Sequence, residues 1–192
     1  MRTILPLLLL LTAFPTSGAI RPWEAKITFV NFEKTEEEKV RAAVALIKKV
    51  IASDEFRSRV LNYAVAGKKG FVDNRGYSNE EIYQKIFEGA EIIGDTSKDG
   101  TMNVELELFH SPTKTIGYTF PDTTRIWVNR RYFNDYTPLK VADNLMHEWM
   151  HKLGFDHARE RTPEREHSVP YAIGYLIEEL GARLPALAQT LQ

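Results

Sequence analysis

His147-Glu148-Trp149-Met150-His151-Lys152-Leu153-Gly154-Phe155-Asp156-His157 is the run from which the rest of the chain takes its meaning. His147 and His151 are four residues apart. On a helix that spacing stacks both imidazoles on one face, one turn above the other. Two neutral ring nitrogens held that way make half of a tetrahedral zinc site. Glu148 follows the first histidine, so its carboxylate falls beside the metal rather than on it. From there it can take a proton from a water on the metal. Gly154 can end the helix in a left-handed turn and send the chain back. His157 arrives on that returning segment. Three protein ligands leave a fourth position for water, which marks a catalytic site rather than a structural one. The plain alternative is a buried helix with two incidental histidines. Against it stands the count: three of the five histidines of the chain fall on this one run.

The pattern His-Glu-x-x-His-x-x-Gly-x-x-His resembles the zinc-binding signature of the metzincin metallopeptidases. The resemblance implies Zn2+ on His147, His151 and His157, Glu148 as general base, and a peptide or protein as substrate. Its motif-specific part is residues 147–157; by order of elements it extends over roughly 24–184. Metzincins also place a methionine-containing turn under the zinc. Here Ser168-Val169-Pro170-Tyr171 stands at that point, and methionine occurs only at positions 1, 102, 146 and 150. In some related families a tyrosine of this turn stabilises the oxyanion of the tetrahedral intermediate. The resemblance implies that role for Tyr171; a core tyrosine at the start of the last helix is the alternative. His110 reads as exposed, and His167 as a solvated loop residue or a substrate contact. Asp156 is a candidate acceptor behind the ligands or a surface carboxylate.

Met1 to Ala19 read as a secretory signal peptide: Arg2, an apolar run from Ile4 to Phe14, then Ser17-Gly18-Ala19 at a cleavage site. The run is too short to span a bilayer. The expected boundaries are 1–19 for the leader and 20–192 for one catalytic domain. Of the whole chain, 43% is hydrophobic, enough for one sizeable core, and the net charge of −1 gives no basic surplus for nucleic acid. The chain has no cysteine, so no disulfide holds it and no thiolate can block the zinc. That absence fits a secreted or periplasmic protein.

Lys26 to Asn31 reads as a first strand. Thr35 and Glu38 form a capping box for a helix over about 36–52, with Val40, Val44, Ile47 and Ile51 at helical spacing. Ser53-Asp54 caps a second helix carrying Phe56, Val60 and Leu61. A loop over 67–76 precedes a third helix, capped by Ser78 and Glu81 and lined by Ile82, Ile86, Ala90 and Ile93. Asp95 to Gly100 copies half of a calcium loop, but Leu106 stands where the closing acid belongs, so a plain turn is the better reading. Asn103 to Phe109 alternates as a half-buried strand, and Thr115–Thr119 and Arg125–Asn129 read as two more, joined by a turn. Thr137-Pro138 opens the metal helix. Ala142, Leu145, Met146, Trp149, Met150 and Leu153 cover so much of its surface that it must be buried. Arg159 to Glu166 is loop-like, and Pro170 to Leu184 is a last helix.

The expected fold class is therefore α+β: a small metzincin-type sheet with an edge strand, backing helices, a buried zinc-binding helix and a C-terminal helix. The expected function is a secreted or periplasmic zinc-dependent metallopeptidase. It would take a peptide or protein substrate extended along Thr115–Thr119 and act as a monomer, without a membrane anchor. Two alternatives remain at this stage: a zinc hydrolase of cell-wall peptides, and a zinc-bound binding module without turnover. Glu148 argues against the second, since a structural site needs no base.

Overall fold

Alternation of apolar and charged side chains builds the sheet, and helical spacing builds what covers it. The structure is a computed structural model that describes residues 22–94 and 98–184. The expected leader lies outside the described residues, as do Asp95 to Ser97 of the calcium-like stretch. In chain order the elements are β1 (Glu24–Val30), α1 (Lys34–Ile51), α2 (Asp54–Leu61), β2 (Ala64–Val65), β3 (Lys68–Lys69), α3 (Asn79–Glu88) and β4 (Thr101–Phe109). Then follow β5 (Gly117–Thr119), β6 (Arg125–Asn129), α4 (Arg130–Asp135), α5 (Pro138–Lys152) and α6 (Val169–Arg183), with a 3-10 turn at Glu164–His167 before the last helix. Among the described residues this is a mixed α and β protein: six α-helices, a small mixed sheet and a two-stranded ladder.

The main sheet runs β1-β4-β6-β5. β1, β4 and β6 are parallel, and β5 pairs antiparallel with β6 at one edge. Val104, Leu106 and Leu108 of β4 point to the helices with Ile126 and Val128 of β6, and all five are buried. Each such burial contributes about 1.5–3 kcal/mol. Glu105 and Glu107 point the other way and meet Arg125 of the neighbouring strand. On that same outer face Tyr118 stacks on Trp127 at 5.1 Å between ring centroids. The register Leu106↔Ile126 and Tyr118↔Trp127 is thus fixed by sidedness.

Helices α1, α5 and α6 pack on one another and on the sheet. The expected apolar stripe of α5 is there: Ala142, Leu145, Met146, Trp149, Met150 and Leu153 are all buried. Gly174 of α6 lies so close to Asp143 of α5 that an added Cβ would collide with its carboxylate. The two helices owe their near approach to that missing side chain.

Several boundaries differ from the sequence reading, each for a local reason. α1 begins earlier, with Glu33 at the cap and Glu36 accepting from the Glu33 N–H at 2.8 Å, so Thr35 and Glu38 are not the capping pair. α3 stops at Glu88 because Gly89 adopts φ 64°, packed against the Thr101 backbone, and Ala90 and Ile93 lie beyond the helix. The loop over 67–76 carries part of a tight hairpin, with Ala66 and Gly67 both at positive φ between β2 and β3. The strand expected at Thr115 begins only at Gly117. Leu106 is a core residue of β4, so no closing carboxylate for calcium is present there.

Candidate metal centre

α5 is opened by Thr137, whose hydroxyl accepts from the Lys140 N–H, and by Pro138 at its first position. It ends in a Schellman turn. Gly154 has φ 94°, its N–H donates to the His151 carbonyl, and the Phe155 N–H donates to the Met150 carbonyl. That turn carries the chain back, and His157 returns to the histidines of the helix. The ring centroids of His147, His151 and His157 stand 5.3, 5.2 and 5.0 Å apart. One nitrogen of each lies within 4.8 Å of the others, so the three form a cluster able to hold a metal ion.

The donor chemistry fits a metal. Nδ1 of His151 is 2.9 Å from the Phe155 carbonyl oxygen, and Nδ1 of His157 is 3.1 Å from that of Ala158. A carbonyl only accepts, so each Nδ1 carries the hydrogen and leaves Nε2 bare as a ligand. Burial, then the neighbouring imidazoles, hold His147 well below the usual histidine range. His151 is lowered too, chiefly by burial. Neutral imidazole is the form that binds metal. Asp156 is not the ring partner of His151: its carboxylate accepts from the His157 N–H at 2.8 Å and lies 3.9 Å from His151 Nδ1.

Glu148 sits beside the cluster and is only 5% exposed. Burial pushes its carboxyl up to about 8. On the sheet side it lies close to Gly117 of β5. A Cβ placed on Gly117 would stand 3.1 Å from Glu148 Oε1. Only a glycine there leaves the carboxylate undisturbed.

Tyr171 lies in the first turn of α6, the last helix that the sequence places from Pro170 on. Its ring is 4.4 Å from that of His147 and 4.9 Å from that of His157, centroid to centroid. It lines the same cleft of about 740 Å³ as His147, Glu148, His151 and His157. The expected neighbourhood of Tyr171 and the three histidines is therefore present. His110 is exposed and outside the cleft lining. His167 is not a solvated loop residue: its Nδ1 is 2.9 Å from the Tyr63 hydroxyl, and it too stands away from the cluster.

Three residues that the sequence reading passed over hold the site in place. Lys152 is buried, and its Nζ donates to the carbonyls of Phe120, Thr123 and Arg125 at 3.1, 2.5 and 2.9 Å. This ties the β5–β6 turn to α5. Glu91 accepts from Trp149 Nε1 and from the Asn103 N–H, both at 2.7 Å, linking the other side of that helix to β4. Asn129, fully buried, donates through Nδ2 to the Ser111 and Thr115 carbonyls at 3.0 Å each and so fixes the approach to β5. A charged residue directly after His151, or between Ala90 and Ile92, is the only signal the sequence offers for the first two.

Compared with protein-family models, with curated proteins and with solved structures, the chain matches none.

Proposed function

We propose that this chain is an exported zinc metallopeptidase of metzincin type. Export rests on the reading of Met1 to Ala19. The single observation that carries the activity is the convergence of three imidazole donors with a buried carboxylate in one cleft, beside a sheet edge that no other described strand covers. His147, His151 and His157 would hold zinc, which supplies Lewis-acid polarisation of the scissile carbonyl and a lower pKa for the attacking water.

The remaining work falls to the chain itself. Thr115 to Pro121 line the cleft, and among the described residues β5 has a strand neighbour only on its β6 side. An extended peptide can add there as a further strand, which positions its carbonyl over the histidines. Glu148 accepts the proton of the attacking water and delivers it to the departing amine. A zinc ion beside Glu148 would favour its charged, proton-accepting form over the neutral form that burial alone favours. Tyr171, against two of the imidazole rings, would donate to the oxygen on which negative charge develops.

The test uses metal analysis and a mixed peptide library. Wild type and Glu148→Gln should each bind one zinc, because Glu148 is not a ligand, and only wild type should cleave peptides. Failure to take up zinc, or equal cleavage by the two proteins, overturns the reading.

A further inference from the structure

The cleft is more positive than the net charge of −1 suggests. Arg75, Lys114, Arg159, Arg161 and Arg165 all line it. None of the five makes an ion pair with another described residue, whereas Arg41, Lys48, Arg59, Arg125, Arg130 and Arg183 on the remaining surface do. Of the acids in the lining, Asp143 is engaged by Lys140 at 2.5 Å, Asp156 caps the His157 N–H, and Glu148 faces the histidines.

The cations reach the cleft from separate segments. Arg75 comes from a loop pinned to the 3-10 turn by the Val72 N–H, which donates to the His167 carbonyl at 3.0 Å. Lys114 precedes β5. Arg159, Arg161 and Arg165 lie on the stretch that follows the third histidine. Arg165 is innermost. It is half-buried, and its guanidinium carbon lies 4.7 Å from the centroid of Tyr171, the ring that touches His147 and His157. Its Nε is buried and has no hydrogen-bond partner among the described residues. A half-buried guanidinium with no acidic partner among the described residues is costly unless an anion meets its terminal nitrogens, whose planar fork matches a carboxylate.

We propose that this cleft selects substrates bearing a carboxylate close to the scissile bond, gripped by Arg165 and drawn in by the field of Arg75, Arg159 and Arg161. The inference rests on the peptidase reading above and names its substrate class. The carboxylate can be an acidic side chain or a free C-terminus; both present the same oxygens.

The experiment uses the full chain as the zinc-loaded Glu148→Gln protein, so that binding is read without turnover. The probes are labelled peptides of one sequence: a neutral form with glutamine and an amidated C-terminus, a scan placing one glutamate at each position, and the neutral form with a free C-terminal carboxylate. A carboxylate-bearing member should bind about 10-fold tighter than the neutral one, as one charge-assisted pair supplies. The advantage should shrink with salt and be lost in Arg165→Met on the same background with zinc content unchanged. Which member gains tells the side chain from the terminus. Equal affinity across the series, or an advantage that survives Arg165→Met, overturns the proposal. If that variant does not fold, the peptide comparison and its salt dependence on the parent protein still decide. If wild type cleaves neutral and acidic peptides alike, the selectivity fails and the peptidase reading stands. If it cleaves none while Glu148→Gln still prefers the carboxylate, the reverse holds.

Discussion

Glu148 links the site to stability in a way that needs no substrate to measure. Its carboxyl is buried, and burial raises it from an ordinary 4.5 to about 8; Lys152 opposes the shift only in part. In the metal-free protein the folded state therefore keeps a proton that the unfolded chain gives up above about pH 4.5. A raised pKa of this kind makes stability fall as pH rises, by about 1.4 kcal/mol per unit until the folded pKa is reached. At pH 7 the accumulated loss is at most roughly 3 kcal/mol. Glu148→Gln keeps the shape and abolishes the titration. In chelator, the variant should be more stable than wild type at pH 7, by up to about 6–12 °C in melting temperature for a chain of this length. The two curves should meet near pH 4.5. Zinc should narrow the gap at pH 7, because a cation beside the carboxylate favours its charged form. The assay is a set of thermal melts of both proteins between pH 4.5 and 8, with and without metal. Coincident melting curves for the metal-free pair across that range would refute the reasoning, since they would show Glu148 ionising as it does in the unfolded chain.

Gly117→Ala sets a methyl 3.1 Å from both Glu148 Oε1 and the Trp127 carbonyl; kcat/KM should fall on the order of 10- to 100-fold with zinc content unchanged, and an unaltered kcat/KM would show that β5 does not confine the base. Lys152→Met takes the shared donor from the Phe120, Thr123 and Arg125 carbonyls under the β5–β6 turn, of which only that of Arg125 keeps another donor among the described residues, the Thr119 hydroxyl, and should cost about 2–4 kcal/mol in urea unfolding; a loss below about 0.5 kcal/mol would mean that the turn is held otherwise. Tyr171→Phe should lower kcat about 10- to 1,000-fold with little change in KM or zinc content, and a kcat near that of wild type would leave Tyr171 a packing residue. Chelation should lower the melting temperature, since zinc at a hundred times its Kd stabilises the fold by about 2.7 kcal/mol; an unchanged melt after verified metal removal would uncouple the site from folding.

Most of the site was readable because it is local. Three histidines, a carboxylate and a glycine within eleven residues obey helix and turn geometry, and the Schellman turn at Gly154 follows from the one residue type that tolerates φ 94° at no cost. The strands of the sheet were readable from alternation, as at Val104, Leu106 and Leu108. Their order was not, because β1, β4 and β6 are parallel and meet across long stretches of sequence. The helix over Arg130–Asp135 escaped notice, since its cap, Asn129, looks like the end of a strand and is one. Tyr171 was placed near the ligands through the resemblance, whereas the closeness of α6 that brings it there depends on Gly174 meeting Asp143, a contact across two helices. Lys152, Glu91 and Asn129 were invisible for the same reason: each acts through backbone or indole groups far away in sequence.

These long-range ties explain why one helix carries so much. Residues four apart share a face of α5, and each face has its own partner. His147 and His151 line the cleft, His147 against Tyr171. Glu148 and Lys152 look toward the edge hairpin, the first against Gly117 and the second bonded under the turn. Leu145 and Trp149 look into the core, where Trp149 meets Trp23 edge-on at 5.6 Å and is bonded to Glu91. A rotation of α5 that relieved any one of these contacts would break the other two. The buried polar bonds of Lys152 and Glu91 fix the helix against rotation. The same setting of α5 that closes the core therefore aims both imidazoles and the carboxylate at the cleft.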